Sequence, residues 1–139
     1  MKIEGDKIRV RYKDTDQMGV AYYANYLVWF EVGRTELLRK MGLPYREFEK
    51  NDLYLPVLKA YCEYRQPALY DDQIEIFTRI ENLQDVRMTF SYKIRRGSKL
   101  LAEGYTEHAF INQAGKPVVL RKKSPFLWNR LLKAYDEQV

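Results

Sequence analysis

The chain has 139 residues, 46% hydrophobic and 14% aromatic, enough for one globular domain that buries roughly two-thirds of its unfolded surface and too few for two. Its 24 basic and 19 acidic residues leave a net charge of +5, but the charges are spread over predicted strands and turns without a recognition helix or basic-aromatic motif, which argues against nucleic-acid binding. One cysteine, Cys62, and one histidine, His108, exclude an internal disulfide and supply too few ligands for a zinc site. No apolar run reaches the ~20 residues of a membrane span, and the opening MKIEGDKIRV is too polar for a signal peptide, so a cytoplasmic protein without a membrane span is expected.

Along the chain, Ile8, Val10 and Tyr12 alternate with Arg9, Arg11 and Lys13, the period-two pattern of a strand with one buried face. This strand leads into a turn at Asp14–Gly19. From about Ala24 to Met41 the spacing becomes helical: Tyr26, Phe30, Gly33 and Leu37 share a face, Leu27, Trp29 and Leu38 widen it, and Gly42 and Pro44 end the helix. Its polar stripe, Glu31, Arg34, Thr35 and Glu36, is thin, so other structure is expected to wrap most of its girth. Strand-like runs follow at Leu53–Arg65, Gln73–Asn82, Val86–Arg96 and Leu100–Ile111, and a turn at Asn112–Pro117 leads to a shorter strand, Val118–Arg121. Cys62 falls in the first of these runs, as a core thiol. Ser124 and Pro125 read as N-cap and first residue of a closing helix with Phe126, Leu127, Leu131, Leu132 and Tyr135 on its apolar side. One strand, one long helix and then a run of strands joined by short turns is an α+β order with an antiparallel sheet, a single domain over residues 1–139, and not an alternating βαβ fold.

The chemistry concentrates in YKDTDQMGVAYYANYLVWFEVGR, residues 12–34, where two carboxylates stand in a tight turn ahead of an aromatic-rich helix. Exposed backbone N–H groups in a helix's first turn can polarise a carbonyl oxygen, and a nearby Asp can attack that carbonyl or activate water against it. The combination points to acyl-group hydrolysis.

The same stretch resembles the signature of the hot-dog-fold acyl-CoA thioesterases, of the 4-hydroxybenzoyl-CoA and Tol-Pal-associated type, at Tyr12, Asp14, Thr15, Asp16, Gly19, Val20, Tyr22, Asn25, Tyr26, Phe30 and Glu31. The resemblance implies a curved antiparallel sheet wrapped around one long central helix, and hydrolysis of an acyl-CoA to free acid and CoA. It implies a site at the interface of a homodimer or homotetramer. No metal and no cofactor are expected, CoA entering only as part of the substrate. Asp16 takes the position of the catalytic carboxylate, as nucleophile or general base, while Asp14 and Thr15 shape the turn. The backbone N–H of Tyr23 takes the position that binds the thioester carbonyl; bacterial relatives commonly carry His there, and a phenol is a poor base, so only the backbone donor carries over.

Gly19 and Val20 stand where the substrate passes close to the backbone. Asn25 orients the helix start or contacts substrate, and Glu31 orders water near the site or makes a structural bond. Arg87 and Thr89, within Arg87–Phe90, match the stretch that holds CoA phosphates and pantetheine, a guanidinium suiting phosphate by its paired donors. Arg95, Arg96 and Lys99, or the run Arg121–Lys123, are the alternative phosphate contacts. His108 reads as a packed or exposed strand residue. A non-catalytic acyl-CoA or acyl-carrier binding module is the alternative function. A hydratase on the same fold needs a His that the turn region lacks.

Overall fold

The computed structural model describes residues 4–138. Strand β1 (Asp6–Arg9) leads through a 3-10 turn (Tyr12–Asp14) to helix α1 (Asn25–Lys40) and a short α2 (Tyr45–Lys50). Strands β2 (Val57–Tyr64), β3 (Gln73–Leu83), β4 (Arg87–Arg96) and β5 (Lys99–Ala109) follow, and α3 (Leu120–Lys123) and α4 (Pro125–Glu137) close the chain. The five strands form one sheet in the order β1-β3-β4-β5-β2 with every pair antiparallel. The α+β order expected from the sequence stands.

One face of the sheet carries the core. Ile74, Ile76, Thr78 and Ile80 of β3, Met88, Phe90, Tyr92 and Ile94 of β4, and Ala102, Thr106 and His108 of β5 are buried, while the residues between them are more exposed, as the period of two requires. Helix α1 lies on this face. Its buried Phe30 stacks on Tyr92 with ring centroids 4.2 Å apart and planes 6° from parallel, burial worth roughly 2–3 kcal/mol for the phenyl ring. At Gly33 a Cβ would collide with Thr78 Oγ1 and come to 2.8 Å from Ile76 Cγ2. The missing side chain is what lets α1 touch β3.

Four sequence expectations give way. The first strand ends at Arg9, not Tyr12, and Tyr12 is 78% exposed, because the Asp14 carboxylate accepts the Arg11 N–H at 2.8 Å and Thr15 Oγ1 donates to the Tyr12 carbonyl at 2.7 Å; local side-chain bonds outcompete the ladder. Pro44 ends α1 but also begins α2, whose Phe48 is fully buried. The strand expected at Val118–Arg121 is absent: after the Val118 N–H bonds Phe110, Leu120 turns into the core, its N–H on the Asp85 carbonyl, and starts α3. Phe126 of α4 is 60% exposed beneath the Arg130 guanidinium, although Ser124 caps the helix and Leu127 and Leu131 bury as expected.

The wrapping of α1 is also incomplete within one protomer. Leu27 and Val28 on its flank, and Val57, Leu58, Tyr61 and Tyr64 on β2, are exposed, because the sheet stops at β2 and, among the described residues, nothing pairs with that strand's outer edge. Cys62 on the same strand is only partly buried.

Candidate active site at the turn before α1

Asp14 is buried and fully engaged. Its carboxylate accepts the Arg11 N–H and the Lys13 ammonium (3.1 Å), and its carbonyl accepts the Tyr22 N–H at 2.7 Å and the Asn25 side-chain amide at 2.8 Å. Both residues therefore serve the geometry of the turn, Asn25 by tying the helix start to it.

Asp16 is held differently. Its backbone closes the turn, N–H to the Val20 carbonyl at 2.9 Å and carbonyl from the Gly19 N–H at 3.0 Å, while its side chain takes one bond, Oδ1 from the Met18 N–H at 2.8 Å. Among the described residues the other carboxylate oxygen meets no donor. Gly19 has φ +79° with open space around it, so conformation rather than crowding calls for glycine. Val20 is half-buried and bridges Leu69 through its backbone.

The helix start adds unpaired donors. Asn25 and Tyr26 already donate to the Tyr22 and Tyr23 carbonyls, and among the described residues the N–H groups of Tyr23 and Ala24 meet no acceptor, the orphan donors every helix begins with. The Tyr64 hydroxyl donates to the Tyr23 carbonyl at 3.0 Å, and burial, reinforced by Cys62 and neighbouring tyrosines, pushes that phenol up to about 12, keeping it a donor. A shallow cavity of about 270 Å³ lined by Ala21, Tyr23, Tyr26 and Tyr64 adjoins this helix end.

A second cavity, about 320 Å³, opens farther along α1, between Glu31, Arg34 and Leu38 of the helix and Leu55, Phe90 and His108 beneath them. Its wall contains a chain of hydrogen bonds the sequence did not reveal. The Arg34 charge stands near the Tyr92 hydroxyl, which meets Thr106 Oγ1 at 2.5 Å; Thr106 Oγ1 meets His108 Nε2 at 2.8 Å, and His108 Nδ1 meets the Leu55 carbonyl at 3.0 Å. A carbonyl only accepts, so a neutral imidazole sets one direction throughout: Tyr92 to Thr106 to His108 to Leu55. Burial holds His108 down to about 4, helped by the positive charge of Arg34. The sequence placed His108 in a strand, packed or exposed, and carried no sign of the network. Glu31 is exposed at the rim.

Arg87 and Thr89 come together in a polar concavity of about 230 Å³ at the start of β4, where Arg87 pairs with Glu107 at 2.8 Å. Of the alternative cations, Arg96 pairs with Asp72 at 2.7 Å and Arg121 with Asp85 at 3.2 Å. These residues are not beside Asp16. Arg87 lies opposite Ala109 of β5, whereas Tyr64, which touches Tyr23, lies opposite Ala102, about 23 Å away along the strand at ~3.3 Å per residue. Another concavity, about 870 Å³ on the outer face of the sheet around Tyr61, Phe77 and Tyr105, includes Thr89 but no residue of the turn or of α1.

An open antiparallel sheet with one long helix across it, and a carboxylate turn at that helix's start, define a hot-dog fold equipped for acyl chemistry. Residues 10–128 match the thioesterase-like superfamily, and the chain belongs to that family as a thioester hydrolase. It is 35% identical to YneP of Bacillus subtilis, over 90% of this chain and 92% of that one. Against the acyl-CoA thioesterase YbgC of Haemophilus influenzae it is 30% identical over 84% of this chain and 87% of the relative. Among solved structures, the DHNA-CoA thioesterase of Staphylococcus aureus superposes with a TM-score of 0.89 at 30% identity, covering 96% of this chain and 91% of the other.

Proposed function

We propose that this protein hydrolyses acyl-CoA thioesters in the cytoplasm: the C–S bond breaks, CoA leaves as the thiol, and water supplies the oxygen of the free acid. The observation that carries the reading is the presence, in one turn-to-helix segment, of a half-satisfied Asp16 carboxylate and, seven positions on, the Tyr23 N–H that meets no acceptor among the described residues. Asp16 attacks the thioester carbon or draws a proton from water that does, and the Tyr23 N–H takes the oxyanion. Gly19 and Val20 leave room for the thioester beside the turn, and Arg87 with Thr89 meets the nucleotide and pantetheine of CoA.

The site is completed by a second copy. Strand β2 runs antiparallel to α1, since Tyr64 at its end touches Tyr23 whereas Leu55 before its start adjoins Leu38. Pairing of two unpaired β2 edges about a two-fold axis sets the Tyr64 end of one copy beside the Val57 end of the other. The turn of one protomer then faces the Arg87 end of its partner. The test is Asp16→Asn, expected to lower kcat for thiol release from acyl-CoA by about 10² or more with fold and mass intact. Activity within a few-fold of the unaltered protein would overturn the assignment.

A further inference from the structure

The 320 Å³ cavity beside α1 has an uneven charge distribution that bears on which acyl group the enzyme accepts. Arg34 is half-buried, lines the cavity with its charge acting on Tyr92 and His108, and has no carboxylate within ion-pair distance among the described residues. The remaining polar wall offers it no compensation. His108 spends both ring nitrogens on Thr106 and Leu55 and stays uncharged, and Glu31, the other ionised group of the lining, is exposed at the rim. Thr35 and Tyr45 add hydroxyls but no charge, and Leu38, Leu55 and Phe90 make the rest of the lining apolar. A guanidinium without a carboxylate partner in the wall of such a cavity is a site for an oxygen anion, which it can meet with two parallel donors.

The position of the cavity identifies what carries that anion. Arg34 and Tyr23 are eleven positions apart, roughly 16 Å along the helix axis at ~1.5 Å per residue, too far for a short acyl group held at the Tyr23 N–H of the same protomer. Across the two-fold pairing of β2 edges, the turn with Asp16 of the partner subunit comes to the Leu55 end of β2, where this cavity opens.

We infer that the cavity receives the acyl group whose thioester is held by the partner's turn, and that Arg34 makes the enzyme selective for acyl groups ending in a carboxylate, the mono-CoA thioesters of short dicarboxylic acids. This rests on the thioesterase reading above. Arg34 acts as a specificity-determining residue at the far end of the substrate, with no part in bond breaking.

Thiol release from glutaryl-CoA and pentanoyl-CoA tests it, since the two acyl chains differ only by a terminal carboxylate in place of a methyl. The expected ratio of kcat/KM favours glutaryl-CoA at least tenfold in the unaltered protein, falls about a hundredfold in Arg34→Met, and stays within a few-fold of the unaltered ratio in Arg34→Lys, which keeps the charge. If Arg34→Met does not fold, the unaltered ratio and Arg34→Lys decide. A ratio at or below one in the unaltered protein, or the same ratio in Arg34→Met, overturns the inference while leaving the thioesterase reading intact. Absence of thiol release from every acyl-CoA overturns both.

Discussion

Acidification should destabilise this protein through one residue. His108 is 1% exposed and held down to about 4, against an ordinary value of 6.5. The unfolded chain therefore takes up a proton that the folded one refuses. Stability from the neutral imidazole is complete above pH 6.5 and is lost as pH falls towards 4, at up to about 1.4 kcal/mol per pH unit. That amounts to about 2 kcal/mol between pH 7 and pH 5, a large part of a marginal total. Carboxylates add their own dependence, so the comparison is with His108→Gln, which removes the titrating group and retains an amide. Urea unfolding at pH 7, 6 and 5 gives the slope for each protein. The variant starts less stable at pH 7, because Thr106 and Leu55 lose well-placed partners, but its slope between pH 6.5 and 5 should be shallower by close to one proton. Equal slopes would mean that His108 already carries a proton in the folded state, and the one-way donor chain would be wrong.

Gly33→Ala should cost about 1–3 kcal/mol by thermal unfolding although alanine is the better helix former, because its methyl meets Thr78 and Ile76. Adding Thr78→Ala should recover part of that loss, since the Thr78 hydroxyl is buried without a hydrogen-bond partner; no recovery would place the strain elsewhere. Light scattering at micromolar concentration should give at least twice the protomer mass of 16.7 kDa, and Val28→Glu on the exposed flank should lower the mass and the activity together. A protomer mass for the unaltered protein would remove the two-fold site.

Periodicity and turn chemistry made most of the fold legible in the sequence. The strands β3 and β4 follow alternation clean enough to mark their inward residues in advance, and Ser124 with Pro125 announced α4. Errors fell where side chains bond their own backbone or one residue serves two elements. Asp14 turns the chain three residues earlier than hydrophobic alternation suggests, and Pro44 punctuates both α1 and α2. At the site, the turn and its Asp16 were readable because their spacing is local. The Tyr92 to His108 chain was not, because it joins β4, β5 and the approach to β2 through contacts up to 53 positions apart, and a single sequence carries no sign of such pairings.

The strand order has a consequence for how the molecule comes to be folded. The hairpins β3-β4 and β4-β5 join through turns of a few residues, but Arg9 of β1 waits for Gln73, about 60 positions on, and Tyr64 of β2 waits for Ala102, about 40 positions on. Closing the short loops first costs the least chain entropy, so the central meander forms early and the two edge strands add to it. Pulsed amide exchange during refolding should find β4 protected before β1 and β2; simultaneous protection would contradict this order. Emerging from the ribosome, β2 precedes its partner strand and carries Val57, Leu58, Tyr61 and Tyr64 uncovered. The edge proposed as the seam between two copies is thus among the last parts of the sheet in place, and assembly there can follow only a sheet that is already complete.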